Sequence, residues 1–270
     1  MKKLEWRITF LEQIAAQESL SLSGNLPDIR NCIKIFTMTI PGSQPTKQQV
    51  STLSAWSGLI GPLVILLGSL ITALGYTGLE GQAYNPLNHF VSELGEVGVS
   101  QLAAVFNASL IVGGIFNAVF MIILTNGIQG WLRYPLALLG VAASVCGGLV
   151  GVFPMNNLDN HLLFALGFFN LGLLVALAYS LVFLLGKNHT FPRWLSIPGF
   201  INAAAFFVFN NFPSQIDDGV DFQEGMQGLL SNRPDFIPLA ALEWVVVLGI
   251  MLWFIMLSIH LIQGSKAEKA

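Results

Sequence analysis

His89, Ser92 and Glu93 lie close together in the stretch NPLNHFVSELGEVG, residues 85–98. An imidazole, a hydroxyl and a carboxylate in mutual reach can relay a proton or activate a nucleophile. Asp159 and His161 share a second polar stretch, NNLDNHLL, and Glu243 opens EWVVVL near the end of the chain. If the fold gathers these groups, two histidines and three carboxylates can hold a divalent metal or do general acid–base work. Each also has a plainer role. Asp159 can cap a helix, His161 can anchor a helix end, and His89 with Glu93 can form a solvated pair of small energetic worth. Two histidines fall short of a three-histidine zinc site, so no metal and no cofactor are expected. The acidic stretch DDGVDFQEG lacks full calcium-loop spacing. GxSxG, HExxH, P-loop and dinucleotide fingerprints are absent.

The elements that must position these residues follow from composition. Only 10% of the 270 residues are charged and 54% are hydrophobic, too oily for a water-facing surface. The net charge of −3 and the lack of a basic patch exclude a nucleic-acid partner. Cys32 and Cys146 fall at different depths, so no disulfide is expected, and the opening MKKLEWRITFLEQ lacks the apolar core of a cleavable signal. Six stretches approach the roughly 20 apolar residues that a bilayer crossing needs: 54–76, 101–125, 135–154, 161–186, 194–212 and 240–263. The expected fold is all-α, a polytopic bundle of six transmembrane helices over 54–263. A cytoplasmic extension, 1–50, precedes it, either amphipathic or poorly ordered, and a cytoplasmic tail, 264–270, follows.

Eleven of the twelve basic residues fall on one side of this arrangement, and Arg233 alone falls on the other. The positive-inside rule then makes both termini cytoplasmic. The 85–98 stretch becomes exoplasmic. Asn85 and Pro86 can start a helix there and Gly95 can end it. Leu87, Phe90, Val91 and Leu94 at i, i+3, i+4 and i+7 give it one apolar face, so a short amphipathic helix between spans one and two is expected. His89, Glu93, Asp159, His161 and Glu243 share the outer level and are expected to converge at one outward-facing mouth.

Inside the spans, Gly147 and Gly151 form a small-xxx-small pair suited to close helix packing, with a dimer face as the alternative. Asparagine follows phenylalanine at Asn107, Asn117, Asn170 and Asn210, and Asn202 also falls within a span. Amides in hydrocarbon need partners, so they should face the bundle or a wet cavity.

The stretches PLNHFVSELGEVG, AVFNASLIVGG and FPMNNLDNHLLFALGFF, with Glu243-Trp244 opening the last span, resemble an uncharacterised family of six-span prokaryotic membrane proteins of the domain-of-unknown-function type. The chain is more distantly similar to the DRAM/Sfk group, which is linked broadly to membrane-lipid organisation. The resemblance covers residues 54–263 and implies a multi-pass protein of a prokaryotic inner or plasma membrane. It carries no catalytic assignment.

The functional expectation is a membrane protein, not an enzyme, that binds or organises a lipid or small ligand through His89, Glu93, Asn107, Asp159, His161, Asn170 and Glu243. One alternative is an intramembrane lipid hydrolase or metal-dependent enzyme using His89, Ser92, Glu93, Asp159 and His161. A small-solute transporter is the second. Against it, no span carries a central charge, though Pro198-Gly199 can break the fifth.

Overall fold

A run of apolar residues in hydrocarbon has no external partner for its amides and folds as a helix. The computed structural model describes residues 52–79, 81–186, 191–212, 228–229 and 233–267. Six α-helices of 16 residues or more stand among them: α1 (Thr52–Leu74), α2 (Ala103–Leu124), α3 (Arg133–Val152), α4 (Leu158–Leu185), α5 (Ser196–Asn211) and α6 (Pro238–Ala267). All except α5 are long and apolar enough to cross a membrane. The chain is an all-α, multi-pass integral membrane protein. The 1–50 extension and the acidic 217–225 stretch lie outside the described residues. The last helix continues to Ala267, four residues past the expected end of its span.

Each helix packs against its neighbours in sequence, and α6 returns to α1, so the six close a ring. Glycines let α2 and α3 cross closely. A Cβ on Gly114 would stand 2.8 Å from the Gly148 Cα, and one on Gly151 would collide with the Asn107 carbonyl. Gly151 therefore serves packing inside the bundle, while Gly147 meets the Phe168 ring of α4. Two buried donors tie the opposite end. Trp253 Nε1 donates to Leu195 O at 2.9 Å, and Tyr179 OH donates to Leu136 O at 3.1 Å. Outward faces stay apolar, with Leu74, Leu138 and Leu185 more than two-thirds exposed, as lipid contact requires.

The 85–98 stretch departs from expectation. A turn occupies residues 86–88, and the only helical piece is a 3₁₀ helix, Val91–Gly95. Asn85 caps no α-helix; its Oδ1 accepts the Leu87 N–H at 3.0 Å, a local turn. Glu93 turns back to accept the Phe90 N–H at 2.8 Å, which favours a tight single turn. The apolar face divides between two surfaces. Phe90 packs with Ile237 and Ala240 of the α6 entry, whereas Val91 and Leu94 pack with Tyr76 and Phe106. Leu87, expected against the bundle, is 54% exposed.

Candidate functional site

The 3₁₀ helix touches α1, α2 and α6 and closes one end of the ring as a plug. Its hydrogen bonds hold it mainly to the start of α6. Ile237 N–H donates to Leu87 O at 2.9 Å, Asn88 Nδ2 to Pro234 O at 3.0 Å, and Val91 N–H to Glu243 Oε2 at 2.7 Å. Arg233 forks onto Glu93, with Nη1 to Oε1 at 3.1 Å and Nη2 to Oε2 at 2.7 Å, and Nη1 also reaches the Asn88 carbonyl. This two-point guanidinium–carboxylate geometry fixes register as well as charge. On the other side, Asn156 exchanges two hydrogen bonds with the Val97 backbone, at 2.8 and 2.9 Å. Asn107 Nδ2 donates to Gly95 O at 2.9 Å, and its amide lies so close that a Cβ on Gly95 would strike it.

Behind the plug, Tyr76 meets both Tyr84 and His89 edge to face, Tyr84 lies tilted against His89, and Trp244 meets Tyr84 edge to face, with ring centroids 5.1–6.0 Å apart. Tyr84 OH receives the Trp244 indole N–H at 2.8 Å and donates to Phe90 O at 2.9 Å. Burial first, and the Glu243 charge second, push the Tyr84 hydroxyl above its ordinary range. Burial, then Glu93, lifts Tyr76 to about 12. Both phenols stay protonated. His89 Nδ1 stands 2.8 Å from Asn88 Oδ1 and 3.3 Å from the Asn85 amide nitrogen. Nδ1 thus faces a donor, the Asn85 N–H, and an acceptor, Asn88 Oδ1. Nε2 is buried without a partner.

Under the plug lies a cavity of about 90 Å³ inside the ring. Its walls are apolar over most of their area and come from α1, α2, α3, α4 and α6. Ser92, His161 and Glu243 line it at the plug end, and Ser144 lines it deeper, from α3. His161 Nδ1 lies 2.9 Å from the Phe153 carbonyl, which can only accept, so Nδ1 donates and the neutral ring leaves Nε2 as an acceptor. Ser92 Oγ donates to the Met155 sulfur at 3.4 Å, so no base draws its proton. Ser144 Oγ donates to Gly140 O at 2.8 Å.

The family model described as "Protein of unknown function (DUF998)" matches residues 59–260. The chain belongs to this family. The match runs from within α1 to the last turns of α6, so plug and cavity both fall inside the DUF998 region. No curated protein and no solved structure matches the chain.

The other residues marked in the sequence sort by place. Of the polar residues expected at one mouth, His161 and Glu243 reach the cavity and Ser92 joins them. Glu93 is committed to Arg233, and His89 to the aromatic group behind the plug. Asp159 is exposed in the first turn of α4, whose N-cap is Asn157 with no side-chain cap bond, so the expected aspartate cap is not formed. Asn107 supports the plug. Asn170 is exposed and donates to Leu166 O of its own helix at 2.7 Å, away from the bundle interior. Asn210 donates to Phe169 O at 3.2 Å, while Asn117 and Asn202 are buried inside. Among the described residues no group of three or more His, Cys, Asp or Glu gathers as metal ligands. Sequence reasoning missed Arg233, Tyr76, Tyr84 and Trp244. The isolated positive charge among acidic connections was the available signal for Arg233.

Proposed function

We propose that this DUF998 protein binds a small amphiphile inside its helical ring, polar end under the plug and short apolar end along the axis. The observation that carries this reading is the cavity itself, with apolar walls and a polar group of Glu243, His161 and Ser92 at one end. Size narrows the class. About 90 Å³ is well below the roughly 300–1,000 Å³ of pockets for drug-sized ligands. It is also below the ~150 Å³ of an apolar cavity that takes one benzene, so it suits a compact head with only a short apolar end. The distant resemblance to the DRAM/Sfk group points the same way.

The reading takes α5 as a sixth crossing. Sixteen residues rise about 24 Å, and the 3₁₀ turn Arg193–Leu195 extends them. The outer face of α5 presents Ile197, Ile201 and Phe207, each more than half exposed. With the basic residues on one side, both termini are cytoplasmic and the plug faces outward, in a prokaryotic inner or plasma membrane.

Native mass spectrometry of protein purified in mild detergent tests the binding. The wild type should retain a small amphiphile. Ala143→Leu, which fills the cavity wall, should lose it while keeping a cooperative melt. Equal retention by both proteins would refute the cavity as its seat.

A further inference from the structure

We infer that the plug is an acid-released gate over the cavity, with His89 as its trigger and residues 95–97 as its hinge. The inference gives a regulation to the site read above as ligand-binding, and rests on that reading only for what the opening admits.

Val91 and Ser92 of the plug form part of the cavity wall, so a plug that lifts opens the cavity. Its attachments fall into two groups. The first flanks His89. Arg233 holds the Asn88 carbonyl and the Glu93 carboxylate, Tyr84 OH holds Phe90 O, and Val91 N–H donates to Glu243 Oε2. A carboxyl oxygen accepts that N–H in either protonation state, so this attachment needs no charge on Glu243. The second group holds the far end. Asn107 Nδ2 donates to Gly95 O, and Asn156 binds both backbone groups of Val97. These amides are neutral and pH leaves them unchanged. Gly98 follows at φ +89°, with nothing within 4 Å of where a Cβ would stand, a backbone suited to a pivot.

His89 takes a proton badly where it sits. As a neutral ring it has a partner for Nδ1 in either tautomer, Asn88 Oδ1 when Nδ1 carries hydrogen and the Asn85 N–H when it does not. The imidazolium carries hydrogen on both nitrogens. Its Nε2–H has no acceptor, and its Nδ1–H meets the Asn85 N–H.

The groups packed around the ring do not repair this. The Tyr76 and Tyr84 rings attract a cation without accepting its proton. Arg233, on the carbonyl one residue before His89, repels a cation. Glu93 attracts it but already holds Arg233 through both oxygens, so turning to His89 would undo the latch. Glu243 is engaged with the Val91 N–H, and Asp235 at the α6 entry is exposed. Burial first lowers the His89 pKa, with Glu93 opposing and Arg233 reinforcing. Glu96 works against the trigger. Burial, then Glu93, raises its carboxyl, so it favours the closed plug as pH falls. Once released into water, His89 titrates near its ordinary value and binds the proton that the closed plug refuses. Opening therefore grows as pH falls through that value. In the orientation proposed above the plug faces outward, so the signal is external acid.

Hydrogen–deuterium exchange of the full-length protein in neutral detergent tests the gate, corrected for the intrinsic effect of pH on exchange. Between about pH 7.5 and about pH 5.5, protection of residues 85–94 should fall severalfold, towards the roughly tenfold limit of one histidine that titrates only when released. Residues 165–180, within α4, should keep theirs. His89→Phe, an aromatic ring that does not titrate, should hold or gain protection over the same range, because Glu96 then acts alone. If that variant fails to fold, His89→Gln replaces it. Plug protection that does not fall in the wild type would overturn the gate. An equal fall in α4, which would mean global unfolding, or an equal fall in a folded His89 variant, would overturn it as well. Ligand retention is read separately by the native mass spectrometry above. A responsive plug on a protein that retains no amphiphile would overturn the binding reading alone, and retention under an unresponsive plug would overturn the gate alone.

Discussion

His89 sits between two tyrosine rings at 2% exposure, with no acceptor facing Nε2. Charging the ring puts a proton where nothing receives it. Burial is the main cause that lowers its pKa below 6.5; Glu93 pulls the other way, and Arg233 adds to the depression. In the unfolded chain the imidazole titrates near its ordinary value. Above that value His89 contributes no pH dependence. As pH falls through 6.5 the unfolded chain takes the proton first, and stability drops until the folded value is reached. Glu96 acts in the opposite sense. Burial, then Glu93, raises its carboxyl, so its stabilisation is lost as pH rises through the raised value. That contribution is common to wild type and variant and cancels in their difference. The melting temperature of the wild type should fall more steeply than that of His89→Phe between about pH 7 and about pH 5.5. Parallel slopes would show that His89 titrates freely.

At the scale of elements, the plug and the entry of α6 behave as one unit joined by Glu93 and Arg233. Glu93 is 2% exposed and the arginine side chain 14%, so the pair is largely desolvated. Removing one partner of such a pair leaves a buried charge, a loss of about 3 kcal/mol or more. Arg233→Met should be strongly destabilised. Glu93→Leu combined with Arg233→Met should be milder than Arg233→Met alone, because both charges leave together. Thermal melts of the wild type, the single variants Glu93→Leu and Arg233→Met and the double variant in detergent give the comparison, and additive losses would contradict a coupled latch. These elements also show what the sequence could and could not convey. The long helices were legible because length and apolarity alone specify them. The plug was not, because Phe90 and Val91 pack on different partners, and a single-face pattern cannot express that. The Glu93–Arg233 pair spans 140 positions, a register set only when α6 returns to α1. At the cavity, His161 and Glu243 were legible from their common depth at helix starts. The commitment of Glu93, the exposure of Asp159 and Asn170, and the aromatic group around His89 depend on rotations about helix and loop axes that spacing leaves open.

At the scale of the molecule, six helices in sequence order close a ring, so consecutive connections alternate between its two ends. Ala83 and Gln129 are exposed in the connections on either side of α2. In a protein with Cys32 and Cys146 replaced by serine, an impermeant thiol reagent on intact cells should label Ala83→Cys and spare Gln129→Cys. The reverse pattern would invert the orientation drawn from the basic residues.

The ring has value for function only if its interior is occupied. An experimental density map of the protein in lipid nanodiscs tests this most directly. Continuous density should run from the Glu243–His161 end towards Phe254, with the plug closed above it. An empty interior, or side chains of α2 and α6 collapsed across the axis, would contradict a ligand-binding cavity.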